Sequence, residues 1–221
     1  STYITSMYLL AKYACDSVVL NDPLSIINFP EKIIPKELYE FMPNTLITKN
    51  KDQIMTFWEK HSDIVIKPLY DFGGRGVFLL KKGEKNYKTI LEMLFEKYNE
   101  PLMVQKFIPE VTKGDKRIFL IDGEVVGQYD RIPPENQLQA AIAAGGTAHK
   151  ADLTEKEKKL CQKLKPILRK NDIMCCGVDT IGNFLTEVNV TCPAGFKPVN
   201  QFFDFASEVK YWDIVNNKYP L

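Results

Sequence analysis

The chain has 221 residues, 29 of them Lys or Arg and 28 Asp or Glu, so its formal charge is +1 at neutral pH. So balanced a chain offers no strong field to nucleic acid or to an anionic membrane, which argues against both as partners. With 45% apolar and 26% charged residues it has the composition of a folded protein, long enough for one large domain or two small ones.

No stretch is as long and apolar as a membrane-crossing helix, and the opening Ser1-Thr2-Tyr3-Ile4-Thr5 lacks the basic-then-apolar order of a signal peptide. The absent initiator Met reads as a processed or trimmed start. Tyr3, Ile4, Met7, Tyr8, Leu10, Ala11 and Ala14 recur at helical spacing. Val18-Val19-Leu20, closed by Asn21-Asp22-Pro23, reads as a buried strand. Residues 1–28 thus look like the remnant of a larger α/β domain, because the strands that would cover this helix are missing.

A helix is expected over residues 52–61, a strand over 64–67, a glycine-rich loop over 71–76, a strand over 77–80, a helix over 87–98 and a strand over 102–104. Residues 117–121 and 125–129, joined by Asp122-Gly123, predict a hairpin. Thr154 with Glu157 forms a capping box for a helix over 155–170. A second hairpin joins 176–181 to 184–190 through Gly182-Asn183. Phe202, Phe205, Val209, Trp212 and Val215 then predict a final helix packed on the core.

Cys15, Cys161, Cys175, Cys176 and Cys192 are odd in number and show no C-x-x-C spacing. They read as reduced, buried thiols, which points to the cytoplasm. With His61 and His149 the only histidines, zinc finds no support.

The glycine loop Asp71-Phe72-Gly73-Gly74-Arg75-Gly76 is neither a Walker A sequence nor a dinucleotide fingerprint. Its backbone amides could nonetheless form a nest for an anion, although an ordinary tight hairpin is equally compatible. Lys67 ends the preceding strand, where its ammonium could reach the same anion, and Lys32 is a second candidate; either lysine alone would by default be a solvated surface residue. Asp179, Glu187 and Asn189 are oxygen donors of the kind a hard divalent cation selects. Glu187 and Asn189 project from one strand face. Asp179 joins them only if the hairpin loop has three residues, since a two-residue loop places it on the opposite face, and a solvent-facing polar hairpin remains the alternative. Arg117 and Arg131 are spaced to act as fixed forks for phosphate or carboxylate. Gln105, Lys106 and Phe107 end a strand that could bound a flat ligand or simply pack.

In this order, Lys32, Lys67, the 71–74 loop, Gln105-Lys106-Phe107, Gly114-Asp115-Lys116-Arg117, Asp122-Gly123-Glu124, Arg131-Ile132-Pro133, Asp179 and Thr186-Glu187-Val188-Asn189-Val190-Thr191 resemble the ATP-grasp half of the bacterial glutathione synthetase family. The likeness spans most of residues 20–195 and is most specific over 114–133 and 177–191. It implies an α/β (α+β) ATP-grasp fold over residues 29–221, with two mainly antiparallel subdomains (about 45–107 and 108–221) gripping the nucleotide, behind the N-terminal remnant. It implies ATP on Lys32, Lys67, Gly73, Gly74, Gln105, Lys106 and Phe107, with Asp115 at the ribose. Mg2+, or Mn2+ in its place, would sit on Asp179, Glu187 and Asn189. Arg117 and Arg131 would be catalytic, and Asn189 and Gly195 would meet substrate.

The implied reaction is ATP-dependent ligation of γ-glutamylcysteine to glycine through an acyl phosphate. Partners are then small molecules, with a homo-oligomer or a complementing N-terminal polypeptide as further expectations. Three features depart from the family pattern. Residues 1–28 stand where the family has a full N-terminal domain. The lid segment 134–144 lacks the usual charges, with Thr147 in place of an arginine, and Cys192-Pro193-Ala194-Gly195 has lost a hydroxyl. These leave a ligase of another acid and amine, or a nucleotide-binding fragment, as alternatives.

Overall fold

The structure, a computed structural model, describes residues 2–14, 16–135, 140, 142, 145–204 and 206–220. Cys15, Phe205 and lid residues 136–139, 141, 143 and 144 lie outside them.

Helix α1 (Thr2–Tyr13) forms as its periodicity predicts, but buries none of its residues. The expected strand at Val18-Val19-Leu20 does not form: residues 16–22 run as turns and bends, and Val18 is 56% exposed. Apolar composition alone cannot make a strand without a partner, and here a side chain makes the sheet contact instead. Buried Asn21 donates to the carbonyls of Cys175 (2.7 Å) and Val190 (2.6 Å) and accepts from the Cys175 amide (2.8 Å). Helix α2 (Pro23–Asn28) follows, capped by Asp22.

The first sheet is antiparallel, in the order β1 (Thr45–Thr48), β4 (Leu102–Lys106), β2 (Ile64–Pro68), β3 (Phe78–Leu80). Its even-numbered residues, among them Ile64, Ile66, Leu102 and Val104, meet Ile54 and Trp58 of α3 (Lys51–His61) and Leu91 and Leu94 of α4 (Tyr87–Tyr98). The alternation of a strand therefore turns its odd-numbered residues, Thr45, Ile47, Val65, Lys67, Met103 and Gln105, to the opposite face.

The second sheet is also antiparallel, in the order β7 (Thr147–Lys150), β6 (Glu124–Ile132), β5 (Asp115–Ile121), β8 (Cys175–Ile181), β9 (Phe184–Asn189). One face packs Ile118, Leu120 and Val178 on Leu160, Leu164 and Leu168 of α5 (Glu155–Lys170), whose Thr154–Glu157 capping box forms as expected. The other face carries Phe119, Ile121 and Tyr129 under Val199 of α6 (Phe196–Phe203) and Ile214 of α7 (Ser207–Lys218).

The expected single C-terminal helix is thus two, broken at Asp204 in the left-handed region (φ +51°) and re-started where Asn200 accepts from the Ser207 amide (2.8 Å). Val215 is buried, but Val209 and Trp212 are more than half exposed, because the break turns them away from the core. Among the cysteines, Cys161, Cys175 and Cys176 are buried and Cys192 is exposed. Burial raises the Cys161 and Cys175 thiols to about 12, the ionisation behaviour of inert packing residues.

The second hairpin has the two-residue loop expected to put Asp179 on the face opposite Glu187, yet the two acids pair, because a bulge follows its turn as one follows the turn of the first hairpin. Each has a two-residue turn with consecutive positive φ values, +49° and +75° at Asp122 and Gly123, +53° and +69° at Gly182 and Asn183. Each then takes up one extra residue as a bulge: pairing shifts from Leu120↔Val125 to Phe119↔Gly127, and from Thr180↔Leu185 to Asp179↔Glu187. In the second hairpin the bulged residue is Thr186, whose hydroxyl donates to the Asp179 carbonyl (3.0 Å).

Candidate active site

The two bulges decide which charges meet. Without the first, Asp115 would face Asp130; with it, Asp115 faces Arg131. Without the second, Glu187 would leave the face of Asp179; with it, one row crosses the sheet as Tyr129, Arg117, Asp179, Glu187. The next row in one direction is Arg131–Asp115 and in the other Phe119–Gly177–Asn189. Directly opposed residues share a face, so these side chains converge.

Arg117 grips Asp179 with Nε on Oδ1 (2.5 Å) and Nη2 on Oδ2 (2.9 Å), and its Nη1 donates to the Ala194 carbonyl (3.1 Å). Arg131 grips Asp115 with two bonds of 2.7 and 2.6 Å and also reaches Asp179 Oδ2 at 3.0 Å. Asn189 Nδ2 completes the set on the same oxygen at 3.1 Å. Burial pushes the Asp179 carboxyl up, but the two guanidiniums overcome it and hold it below the usual carboxylate range. Asp115 goes the other way, because burial and the charge of Asp179 outweigh Arg131. Its two short bonds are still those of an ionised pair.

Gly177 makes this packing feasible. A Cβ there would stand 2.7 Å from Arg117 Nη1 and 2.9 Å from its Cδ, so the guanidinium lies where any side chain would have been. Gly195, which begins α6, is tight for a similar reason: its Cβ would meet Phe119 at 2.5 Å.

The odd-numbered face of the first sheet supplies the other wall. Lys67, only 8% exposed, makes no hydrogen bond or ion pair among the described residues. Burial lowers its ammonium's pKa, an effect that nearby Glu187 opposes and Lys32 adds to. Lys32, 4% exposed, bridges the two sheets: its Nζ donates to the Asp71 carbonyl (2.6 Å) and lies 3.7 Å from Glu187. Gln105 is buried with its amide on the Thr45 hydroxyl (3.0 Å). A cavity of about 600 Å3 is lined by Lys32, Ile34, Met103, Lys106, Phe107 and Phe184 among others, and so touches both sheets. Adjoining it, a smaller one of about 70 Å3 is lined by Glu31, Lys32, Gly73, Gly74, Glu187 and Asn189.

The glycine loop is anchored at its start. Asp71 accepts from the Phe72 amide (2.9 Å) and from the Tyr98 hydroxyl (2.9 Å). Gly73, Gly74 and Gly76 all have φ near +70°, and a Cβ on Gly76 would stand 2.4 Å from the same Tyr98 hydroxyl, so glycine is required there on two counts.

Of the residues singled out from sequence, Asp179, Glu187, Asn189, Arg117, Arg131 and Asp115 form one cluster on the second sheet. Lys32 joins it to the glycine loop, and Lys67 faces it from the first sheet. Lys106 and Phe107 line the larger cavity, their amides committed to the carbonyls of Asn44 (2.9 Å) and Asp63 (3.0 Å). Gly195 lies over the sheet next to the Ala194 carbonyl that Arg117 holds. Glu31 escaped notice. It lines the smaller cavity, its carboxyl is raised by burial and then by Glu187, and its carbonyl accepts from the Val188 amide (2.9 Å). Its place beside Lys32 was the only available signal. Tyr98, the loop's anchor, gave none.

Two antiparallel sheets closing on a cleft, with lysines and a glycine loop on one wall and a carboxylate, amide and arginine set on the other, define an ATP-grasp enzyme, an ATP-dependent ligase that uses a divalent metal. Residues 31–204 match the family described as prokaryotic glutathione synthetase, ATP-grasp domain, and the chain belongs to that family. It is 40% identical over 216 residues to glutathione synthetase of Mesorhizobium japonicum, covering 98% of this chain and 69% of that protein. It is 34% identical over 204 residues to the glutathione synthetase of Thermosynechococcus vestitus, covering 90% and 64%. Among solved structures, a D-cycloserine synthetase aligns with a TM-score of 0.73 at 11% identity, over 97% of this chain and 78% of that one. The D-alanine–D-alanine ligase of Bacillus anthracis aligns with a TM-score of 0.60 at 17% identity, over 89% and 66%. At such identities these two likenesses concern the fold alone. No helix among the described residues is long and apolar enough to cross a membrane.

Proposed function

We propose that this chain makes glutathione, joining γ-glutamylcysteine to glycine at the expense of ATP, in the cytoplasm, to which its thiols point. The observation that carries the nucleotide half of this reading is the smaller cavity, where Lys32 and the glycine loop meet the oxygen donors Glu187 and Asn189, while Lys67, 8% exposed and without hydrogen bond or ion pair among the described residues, stands on the strand that leads into that loop; such a site is arranged for an anion that arrives later. Lys32 and Lys67 hold the phosphates, and Gly73 and Gly74 cover them with backbone amides. Gln105, Lys106 and Phe107 edge the adenine, the last two from the lining of the larger cavity. Asp115 takes the ribose with the lone pairs that Arg131 leaves free.

Asp179, Glu187 and Asn189 supply three oxygens from two adjacent strands, a donor set that fits a hard divalent cation, Mg2+ with Mn2+ as substitute. When bound, such a cation neutralises charge on the phosphates. The terminal carboxylate of γ-glutamylcysteine attacks the γ-phosphorus, ADP leaves, and an acyl phosphate results. The amine of glycine attacks its carbonyl carbon, phosphate leaves, and the nitrogen loses a proton. Arg117 and Arg131, already fixed by Asp179 and Asp115, stabilise the transferring phosphoryl group without having to be ordered at that moment. Asn189 and Gly195 border the acceptor acid.

The test is ADP release by the purified chain with ATP and Mg2+. Release that requires γ-glutamylcysteine and glycine together supports the proposal; release unaffected by either substrate refutes it. Glu187→Gln should lower Mg2+-dependent ATP affinity at least about tenfold, and unchanged affinity would remove Glu187 from the metal set.

A further inference from the structure

The chain has four arginines. Arg117 and Arg131 are bound into the buried cluster, and Arg169 holds Asp122 at 2.8 Å. Arg75, at the tip of the glycine loop, is the exception: among the described residues it makes no ion pair. Asp71, whose carboxylate feels the Arg75 charge, is instead bonded to the Phe72 amide and the Tyr98 hydroxyl. The Arg75 guanidinium rests on the Phe72 ring, 4.3 Å from its centroid, and that ring is itself 64% exposed. Yet Arg75 lines the smaller cavity together with Lys32, Gly73, Gly74, Glu187 and Asn189.

We infer that Arg75 is a terminal-phosphate-binding residue, held in waiting on Phe72 and delivered to the γ-phosphate when nucleotide fills the cavity. The inference rests on the nucleotide reading above and deepens it. Three physical points support it. An exposed stack of a guanidinium on an aromatic ring is weak, so it orients Arg75 without locking it. A guanidinium forks onto two phosphate oxygens, whereas Lys32, the other basic residue lining the cavity, is a point charge. The loop is fixed at Asp71 by Lys32 and Tyr98, so Arg75 is presented on an anchored base, in the same cavity that Glu187 and Asn189 line.

The experiment compares dissociation constants for ATP and for ADP, each with Mg2+, in the full chain and in Arg75→Ala, Arg75→Lys and Phe72→Ala. Loss of a charged fork on the terminal phosphate should weaken ATP binding about 10- to 100-fold in Arg75→Ala while ADP changes less than about threefold. Arg75→Lys should recover only part of the loss, and Phe72→Ala should show a smaller loss of the same kind. Arg75→Ala weakening ATP and ADP alike, or neither, overturns the inference. Failure of the unaltered chain to bind either nucleotide would instead overturn the nucleotide reading itself. Since the Arg75 side chain is exposed and makes no hydrogen bond or ion pair among the described residues, the variants should melt as the parent does, and a lowered melting temperature would assign Arg75 a structural role instead.

Discussion

Lys67→Met is expected to make the protein more stable and unable to use ATP. Without nucleotide, Lys67 is a buried cation without hydrogen bond or ion pair among the described residues, and Glu187 keeps Lys32 at 3.7 Å when Lys67 is gone. Replacing buried ionic groups by apolar ones of similar volume is neutral to stabilising by 1–4 kcal/mol, so about 1–3 kcal/mol is the expected gain here. For a chain of this size each kcal/mol moves the melting temperature by roughly 2–4 °C, which predicts a rise of about 2–12 °C. The sign also depends on pH. Burial puts the folded-state pKa of Lys67 below its ordinary 10.5. The penalty is therefore fully present below the folded value and relieved as pH rises toward 10.5, so the variant's advantage should shrink in alkali. ATP with Mg2+ should reverse the order, since ligand at about a hundred times its dissociation constant stabilises the parent by about 2.7 kcal/mol and should leave the variant unmoved. Thermal melts with and without nucleotide read all of this. A variant that melts below the parent without nucleotide, or that keeps the full nucleotide shift, would refute the reasoning.

Asp179→Asn leaves two buried guanidiniums short of a counter-charge and should cost about 3–5 kcal/mol at pH 7. Because the two arginines depress the Asp179 pKa below 3.8, its contribution is complete above the unfolded value and lost as pH falls through the folded one. The variant should therefore show a flatter acid limb in urea titrations run from pH 7 to 3, and equal stability at pH 7 would contradict the ion-pair account. Gly177→Ala drives a Cβ to 2.7 Å from Arg117 Nη1. It should destabilise by about 1–3 kcal/mol and lower kcat, whereas a variant with parental kcat would show that Arg117 can shift without consequence. Thr154→Ala removes half a capping box on the α5 side of the second sheet, the face opposite the cluster, costing about 1 kcal/mol in urea unfolding with no change in activity.

Much of the fold was legible because it rests on local physics. The 155–170 helix announced itself by its capping box, and both hairpins by turn residues that tolerate positive φ. What sequence could not show was the bulges, which depend on how a strand bends over its core rather than on residue type. Loop length alone therefore gave no answer for Asp179 and Glu187: the turn has two residues, yet Thr186 bulges out and the two acids meet. The pairing of Asp115 with Arg131 was hidden for the same reason. The strand expected at Val18-Val19-Leu20 failed because its apolar run finds no partner, while Asn21 fastens the segment by its side chain. Helix periodicity ran through Asp204 because a single residue in the left-handed region leaves no mark on hydrophobic spacing.

The central claim is that the acid is activated by direct attack of its own carboxylate on the γ-phosphate. It is tested most directly with γ-glutamylcysteine carrying 18O in its terminal carboxylate, turned over by this chain with ATP, Mg2+ and glycine. Capture of the acyl phosphate by the amine breaks the labelled carbon–oxygen bond, so the account predicts glutathione by mass and one 18O atom in each phosphate released. Unlabelled phosphate, or phosphate released without glutathione, would contradict it.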